Sequence, residues 1–506
     1  MGTHVNSRVP YEADVVVVGS GAGGATTAAL LAEAGFSVVV LEEGVWIPQG
    51  ALRPFSLEQM TQQYRGGGVT VALGRPSIAY AEGRCAGGGT EINSGLYIRP
   101  PNELLHRWRR DFRISDLDDD EITEICAEVE SALSVGFVPG SPTAASERLR
   151  DGAIALGWQQ NETPRWMTYP PGGDAKTGRR QSMTETYLPR AISAGAQLIT
   201  GCTVDHLEIH HGHVSAVSYR LDEAPAASGS TSGSQHAGAT RTGRIRCGAV
   251  FVCAGAIHSP ALLQRSGISG PIGRTLAFHP TVKLAARFPQ VVNVDDDVPV
   301  HQVKEFSPNI SFGGSASNSG LVALALSDHW QVFKDAVTDW QHVAVYYAAI
   351  TSQGTGRIRS IAGFHDPLVT YHLTARDRHV LRSGLGRLAL TMLQAGATEV
   401  YPSFRGAPVV RNRADLGAMQ QSFSATKASL MTVHLCSTVP LGEDRNRCAA
   451  DSFGRIHSTA NVFVNDASLL PTAPGVNPQG SVMAFAIRNA RRFIATAHRR
   501  TARTSA

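Results

Sequence analysis

The stretch VVVVGSGAGG, Val15 to Gly24, decides the fold. Asp14 precedes its four valines, a β-branched run suited to a parallel strand buried on both faces. Gly19, Gly21 and Gly24 then stand in the spacing G-x-G-x-x-G. In that spacing the first glycine makes a tight turn and the second lets a pyrophosphate approach the backbone. The third lets helix and strand pack closely. Ala22, which lies among them, is a further candidate for contact with the cofactor. Ala25 to Ala34 is rich in Ala and Leu and reads as a helix whose N-terminus faces phosphates; Gly35 ends it. Ser37 to Leu41 is a second strand, and Glu42 follows it, about twenty residues past the motif, where an acid binds ribose hydroxyls. Glu43 competes for that role, but the alternation of the strand ends at Glu42. Strand, glycines, helix, strand and acid in this order predict a dinucleotide site.

A second glycine-rich segment, GRCAGGGTEINSGLYIRP, runs from Gly83 to Pro100. An enzyme that used only a nicotinamide dinucleotide would have no need of it. Gly87, Gly88 and Gly89 remove side chains where backbone approaches a ligand, and Thr90 and Asn93 can donate hydrogen bonds. Apolar Ile92, Leu96, Tyr97 and Ile98 argue against a free surface loop. A third segment, Phe251 to Ile268, begins as a buried strand, turns at Gly255 and continues as a helix after Ser259-Pro260. A fourth, Asn461 to Ala495, shows a strand, Asp466 at its end, a Pro-rich turn and a helix beginning near Gly480.

Bulk composition bounds the rest. The chain has 506 residues, 42% hydrophobic and 17% charged, enough for two domains. With 46 basic and 42 acidic residues, nothing marks a nucleic-acid groove. No apolar run approaches the roughly 20 residues of a membrane span, and the polar first residues lack a signal-peptide core. The seven cysteines include no Cys-x-x-Cys pair, so reduced thiols in a cytoplasmic enzyme are expected. The acidic run Asp118 to Glu121 reads as a helix N-terminus and not a metal site; no metal is expected. Ala224 to Gly243 is low-complexity and reads as a mobile loop at a long hairpin tip.

The four segments, in this order, resemble the glucose–methanol–choline family of FAD-dependent alcohol oxidoreductases, over nearly the whole chain. Phe251 to Ile268 is similar to the family's second signature, departing at Ser269, where Gly is usual. In some relatives a His in the second glycine loop bonds FAD covalently; Ile92 stands at that position, which implies non-covalent FAD. The resemblance implies an α/β fold, with a Rossmann-like FAD domain and an interleaved α+β substrate domain covering the flavin. The FAD domain would take 1–105, 185–285 and 430–506, and the substrate domain 106–184 and 286–429. Tyr371 to Ser403 resembles the substrate-domain helix and following strand, and Gly320 to Leu326 and Val343 to Ile350 are expected as sheet over the flavin.

The family's catalytic pair corresponds to His434, in MTVHLCSTVPLG, and Asn477, in GVNPQGS. His279 and His457 are the nearest rivals for the base by position. The resemblance also implies that Val204 meets the adenine through its backbone and Asp466 lies near the ribityl and pyrophosphate. Asn93, Pro478 and Ser481 would line the isoalloxazine. The residue types suit alcohol oxidation. A His with pKa near neutrality accepts the hydroxyl proton, an Asn amide donates to the same oxygen, and flavin takes the hydride. The expected partners are a small-molecule alcohol and oxygen or another electron acceptor. A polar sugar-, aminosugar- or nucleoside-like metabolite is the first choice of substrate; a sterol or aliphatic alcohol is the second. A non-redox FAD lyase of the same fold and an inactive flavin binder are the rival functions.

Overall fold

A computed structural model describes residues 9–222, 240–293 and 299–504. The valine run forms strand β1 (Glu12–Val18), followed by helix α1 (Ala22–Glu33) and strand β2 (Val38–Leu41). Val15 to Val18 and all of β2 are buried, as expected of a parallel pair covered on both faces. On the other side of β1 lies the strand Thr240–Val252, in parallel register from Glu12↔Arg246 to Val18↔Val252. That strand pairs in turn with Val462–Val464 and with His213–Asp222. Cys202–His210 and Gln197–Ile199 complete a seven-stranded sheet. α1 packs against the C-terminal helix Gln479–Thr504.

A second, nine-stranded sheet is centred on Thr281–Arg287 and Val343–Ile350. Ile310–Gly314, His301–Val303 and Gln160–Glu162 extend it on one side. Met431–Thr432, Ile78–Tyr80 and Thr70–Ala72 extend it on the other. The long helix Ala375–Gln394 packs on this sheet, its start fixed by a reciprocal capping box between Thr374 and Asp377.

Three local expectations change. Gly320 to Leu326 is not sheet: Ser319–Ala325 is a helix, capped by the Asn318 side chain accepting from Leu321 N–H. A short apolar run has no decisive period, and the cap tips it to helix. In the third segment the helix begins at Gly255, with Pro260 inside it. The carbonyl that Pro260 cannot reach, Ala256 O, accepts the Thr438 hydroxyl at 2.7 Å, which offsets the missing donor. Of the expected loop, 224–239 lie outside the described residues, while 240–243 are strand, with Tyr219↔Gly243 in register. Asp118 does cap the helix Asp119–Ala132, accepting from Asp120 and Glu121 N–H. All seven cysteines are free thiols, and no described helix is long and apolar enough to cross a membrane.

Candidate active site

The glycine turn after β1 is shaped by three contacts. Gly19 has φ +96°, and a Cβ there would stand 2.4 Å from Cys253 O. A Cβ at Gly24 would stand 2.0 Å from Gly19 O, so this glycine serves close packing. Gly23, which sequence reasoning passed over, is as constrained: its Cβ would stand 1.8 Å from Asn465 O, on the far strand of the sheet. Gly21 differs. Nothing of the chain comes closer to its Cβ position than Gly88 Cα, at 4.0 Å. Gly21 is the N-cap of α1 and no side chain caps it, and Gly88 faces it with φ +55°. Two bare backbones and an uncapped helix N-terminus that begins at Ala22 form a cradle that suits a pyrophosphate.

Behind the cradle, Glu42 is buried and accepts from Ser20 N–H (2.9 Å), Ser20 Oγ–H (2.7 Å) and Gly44 N–H (2.8 Å). Burial raises its pKa against those bonds. Glu43 is committed elsewhere. It pairs with Arg65 at 2.6 Å and Arg84 at 2.9 Å, which outweigh its burial and hold its pKa down to about 2. Ser20 Oγ also accepts from Gly87 N–H at 3.0 Å, so the two glycine segments are joined through Ser20, which Glu42 holds in place.

The hydroxyl of Thr90 does not point out as a donor for a cofactor. It donates to Gly87 O at 2.7 Å and accepts from Met183 N–H, so Thr90 holds the loop. Asn93 donates to Gln479 Oε1 at 2.9 Å and accepts from Gly95 N–H, tying this loop to the last helix. Asp466 is buried and accepts from Gly255 N–H, Ser259 Oγ–H, Ser468 N–H and Ser468 Oγ–H, fixing the third segment's turn. Val204 is buried beside a bulge in its strand, with Arg265 3.5 Å from its carbonyl. Pro478 immediately precedes the C-terminal helix, and Ser481 lies in its first turn. The Ser481 hydroxyl is fully buried with no partner among the described residues. An orphaned hydroxyl at a helix N-terminus fits the polar edge of a bound isoalloxazine.

His434 and Asn477 meet in one cavity, with His279, Gln302, Lys304, Ser311, Tyr347 and Thr351. Period-two alternation puts Gln302 and Lys304 on one face of the chain, while His301 turns to Ser146. Asn477 Oδ1 accepts from Gln302 Nε2–H at 3.4 Å, which leaves its amide N–H₂ for a ligand. His434 Nδ1 lies 2.9 Å from His279 Nδ1, and His279 Nε2 accepts Gly475 N–H at 3.0 Å. Burial, and then the charge of Lys304, lower the His434 pKa to about 4, well below the near-neutral value expected from sequence. His457 is elsewhere, on Gly442 O. His279 thus lines the same cavity as His434 and contacts it directly. No spacing in the sequence could join residues so far apart.

Comparison with known proteins gives the family and the fold. The model for GMC oxidoreductases matches residues 60–281 with its N-terminal part and 351–486 with its C-terminal part. A model for NAD(P)-binding Rossmann-like domains matches 17–47. An uncharacterized GMC-type oxidoreductase of Sinorhizobium fredii is 38% identical over 100% of this chain and 99% of its own length. The chain belongs to the GMC oxidoreductase family. Another GMC relative, the long-chain-alcohol oxidase FAO3 of Arabidopsis thaliana, is 25% identical over 95% of this chain and 68% of its own. Pyridoxine 4-oxidase from Mesorbium loti has the same GMC fold, with TM-score 0.68 and 17% identity over 95% of this chain and 99% of that one. The chain is therefore an oxidoreductase of this family.

Proposed function

We propose that this enzyme uses non-covalent FAD to oxidise a small polar alcohol to an aldehyde or ketone, with His434 as proton acceptor and Asn477 as hydrogen-bond donor. The observation that carries the reading is the convergence of His434 and Asn477 on one cavity lined by polar side chains. When bound, FAD supplies the hydride acceptor at flavin N5. Gly21, Gly88 and the N-terminus of α1 would hold its pyrophosphate, Glu42 and Val204 its adenosine, and Ser481, Pro478 and Asn93 its ring. The residues of the chain do the remainder. Asn477 donates its amide N–H to the substrate oxygen as negative charge develops there. His434, neutral at physiological pH, receives the hydroxyl proton.

The His279 contact sets a condition on that step. With Gly475 N–H on its Nε2, a neutral His279 carries its proton on Nδ1 and donates to His434 Nδ1. A neutral His434 then holds its own proton on Nε2. To act as a base at Nε2 it must pass through the other tautomer, with His279 releasing Gly475.

Gln302, Lys304, Ser311 and Thr351, set among Pro308, Ala349, Ile350 and Val476, offer the polar partners that a polar alcohol uses and a sterol or long aliphatic one does not. The test is anaerobic mixing of the yellow, FAD-loaded protein with a panel of alcohols. Bleaching of the flavin by a polar member supports the reading. A flavin that no alcohol reduces favours a lyase or binder, and one that stays with the denatured chain overturns the non-covalent assignment.

A further inference from the structure

Among the described residues, Lys304 is a cation without a counter-charge in the catalytic cavity. It lies two residues after Gln302, and both line the cavity with His279, His434 and Asn477. No carboxylate stands among the lining residues. The adjacent Glu305 is turned to the backbone N–H of Gln159. Burial alone pulls the Lys304 pKa down to about 8, and no described acid supports its charge. Its charge instead bears on the two histidines and lowers their pKa values. A desolvated ammonium facing two imidazoles is unfavourable in the empty enzyme, and a bound anion would relieve it.

A second observation lies on the same segment. Pro308 lines the cavity, while Phe306, Ser307 and Asn309 line a neighbouring groove. The groove's opposite wall is the helix Ala375–Gln394, which contributes Arg376, His379 and Arg387. Arg387 sits 3.9 Å over the Phe306 ring. Asp377, the acid nearest in sequence, is buried and accepts from Thr374 and Gln353 N–H. Among the described residues, the groove on the other side of this segment therefore carries two arginines, as the cavity carries Lys304. Such a field raises the local concentration of anions and repels cations.

We propose that the substrate is an alcohol bearing an anionic group, a carboxylate or phosphate, and that Lys304 is the residue that binds this anion. The proposal rests on the alcohol-oxidising reading of the same cavity and narrows it, disfavouring the aminosugar option.

The test uses the FAD-loaded enzyme and matched probes: glycolate against glycolamide, mandelate against mandelamide, and glycerol phosphate against glycerol. Binding is read by calorimetric titration under nitrogen at two salt concentrations, and flavin reduction by stopped flow. The wild type should favour at least one anionic member over its neutral mate by tenfold or more. Lys304→Met should abolish that ratio and Lys304→Arg should keep part of it, with unchanged thermal unfolding as the control on folding. The split between the carboxylate and phosphate pairs identifies the anion. A ratio unaffected by Lys304→Met, or no anion bound by the wild type, overturns the proposal. Flavin release and bleaching by neutral alcohols report on the FAD reading separately. An enzyme that neutral alcohols bleach but that ignores substrate charge sinks only the anion assignment.

Discussion

His279 Nδ1 lies 2.9 Å from His434 Nδ1, and Gly475 N–H holds the far side of the His279 ring. The base position therefore depends on a neighbour from another part of the chain. Replacing His279 should slow flavin reduction without removing FAD. His279→Leu leaves His434 Nδ1 without a partner, and a loss of about 10–100-fold is expected, as for other groups that orient a functional His. His279→Gln should retain more, because its carbonyl can accept from the Nδ1–H tautomer of His434. Stopped-flow reduction of both variants checks the order; equal rates for Gln and Leu would show that tautomer control plays no part.

His434→Ala should keep fold and flavin but slow reduction by about 10²–10⁴-fold, the usual range for loss of a general base. Asn477→Ala should cost less, since it removes a hydrogen bond and not the proton acceptor. His457→Ala should reduce at the normal rate, because its ring bonds Gly442 O away from the cavity. A crippled His457 variant beside a normal His434 variant would refute the site.

The pH dependence follows from the sign of the His434 shift. Its pKa is lowered to about 4 by burial and by Lys304, and the neutral form is the one that accepts a proton. Reduction should be insensitive to His434 from neutral pH down to about pH 5 and fall below that. Lys304→Met should move this acid limb upward. The same shift links to stability. The folded chain binds fewer protons here than the unfolded one, so stability falls as pH drops from the usual 6.5 towards about 4 and changes little further below. An acid limb that stays put in Lys304→Met would show that the Lys304 charge does not reach the base.

Gly21 and Gly23 should fail in different ways. A side chain at Gly21 meets only open space and Gly88 at 4.0 Å, whereas one at Gly23 runs into Asn465 O at 1.8 Å. Gly21→Val should therefore fold but lose FAD, and Gly23→Val should lose the fold. Flavin absorbance and thermal unfolding of the two purified variants separate these outcomes. Normal FAD content in Gly21→Val would mean that no pyrophosphate lies against this backbone.

The elements nearest in sequence were the most legible. The β1–α1–β2 unit follows from glycine spacing and valine runs, which are local signals. The preference for Glu42 over Glu43 also rested on local alternation, and the two side chains do divide: one backs the glycine turn and the other pairs with Arg65 and Arg84. His434 and Asn477 are expected from family resemblance and not from local physics. What stayed hidden was tertiary. Thr90 looked like a donor for a ligand because its sequence cannot show that Gly87 O takes its hydroxyl. Lys304 and His279 reach the cavity only through strand register in a sheet whose neighbours are scattered along the chain. The helix at Ser319–Ala325 was misread because seven residues carry too little periodicity to outweigh one cap.

The order of strands in the first sheet also bears on how the chain is made. Thr240–Val252 is flanked by β1 on one side and by Val462–Val464 on the other, and α1 is covered by the last helix. At roughly 5–20 residues per second of synthesis, β1 and its glycine turn wait on the order of half a minute or more for the strand and helix that complete them. Asn465, whose carbonyl abuts Gly23, and Asp466, which pins the turn at Gly255, arrive only after more than 400 residues have followed the glycine turn, and the helix that covers α1 comes later still. A ribosome stalled before this C-terminal segment would leave a chain with every glycine of the first motif and no finished place to hold a cofactor. On the FAD reading proposed above, flavin capture would wait for this segment, and a product truncated before it should emerge colourless.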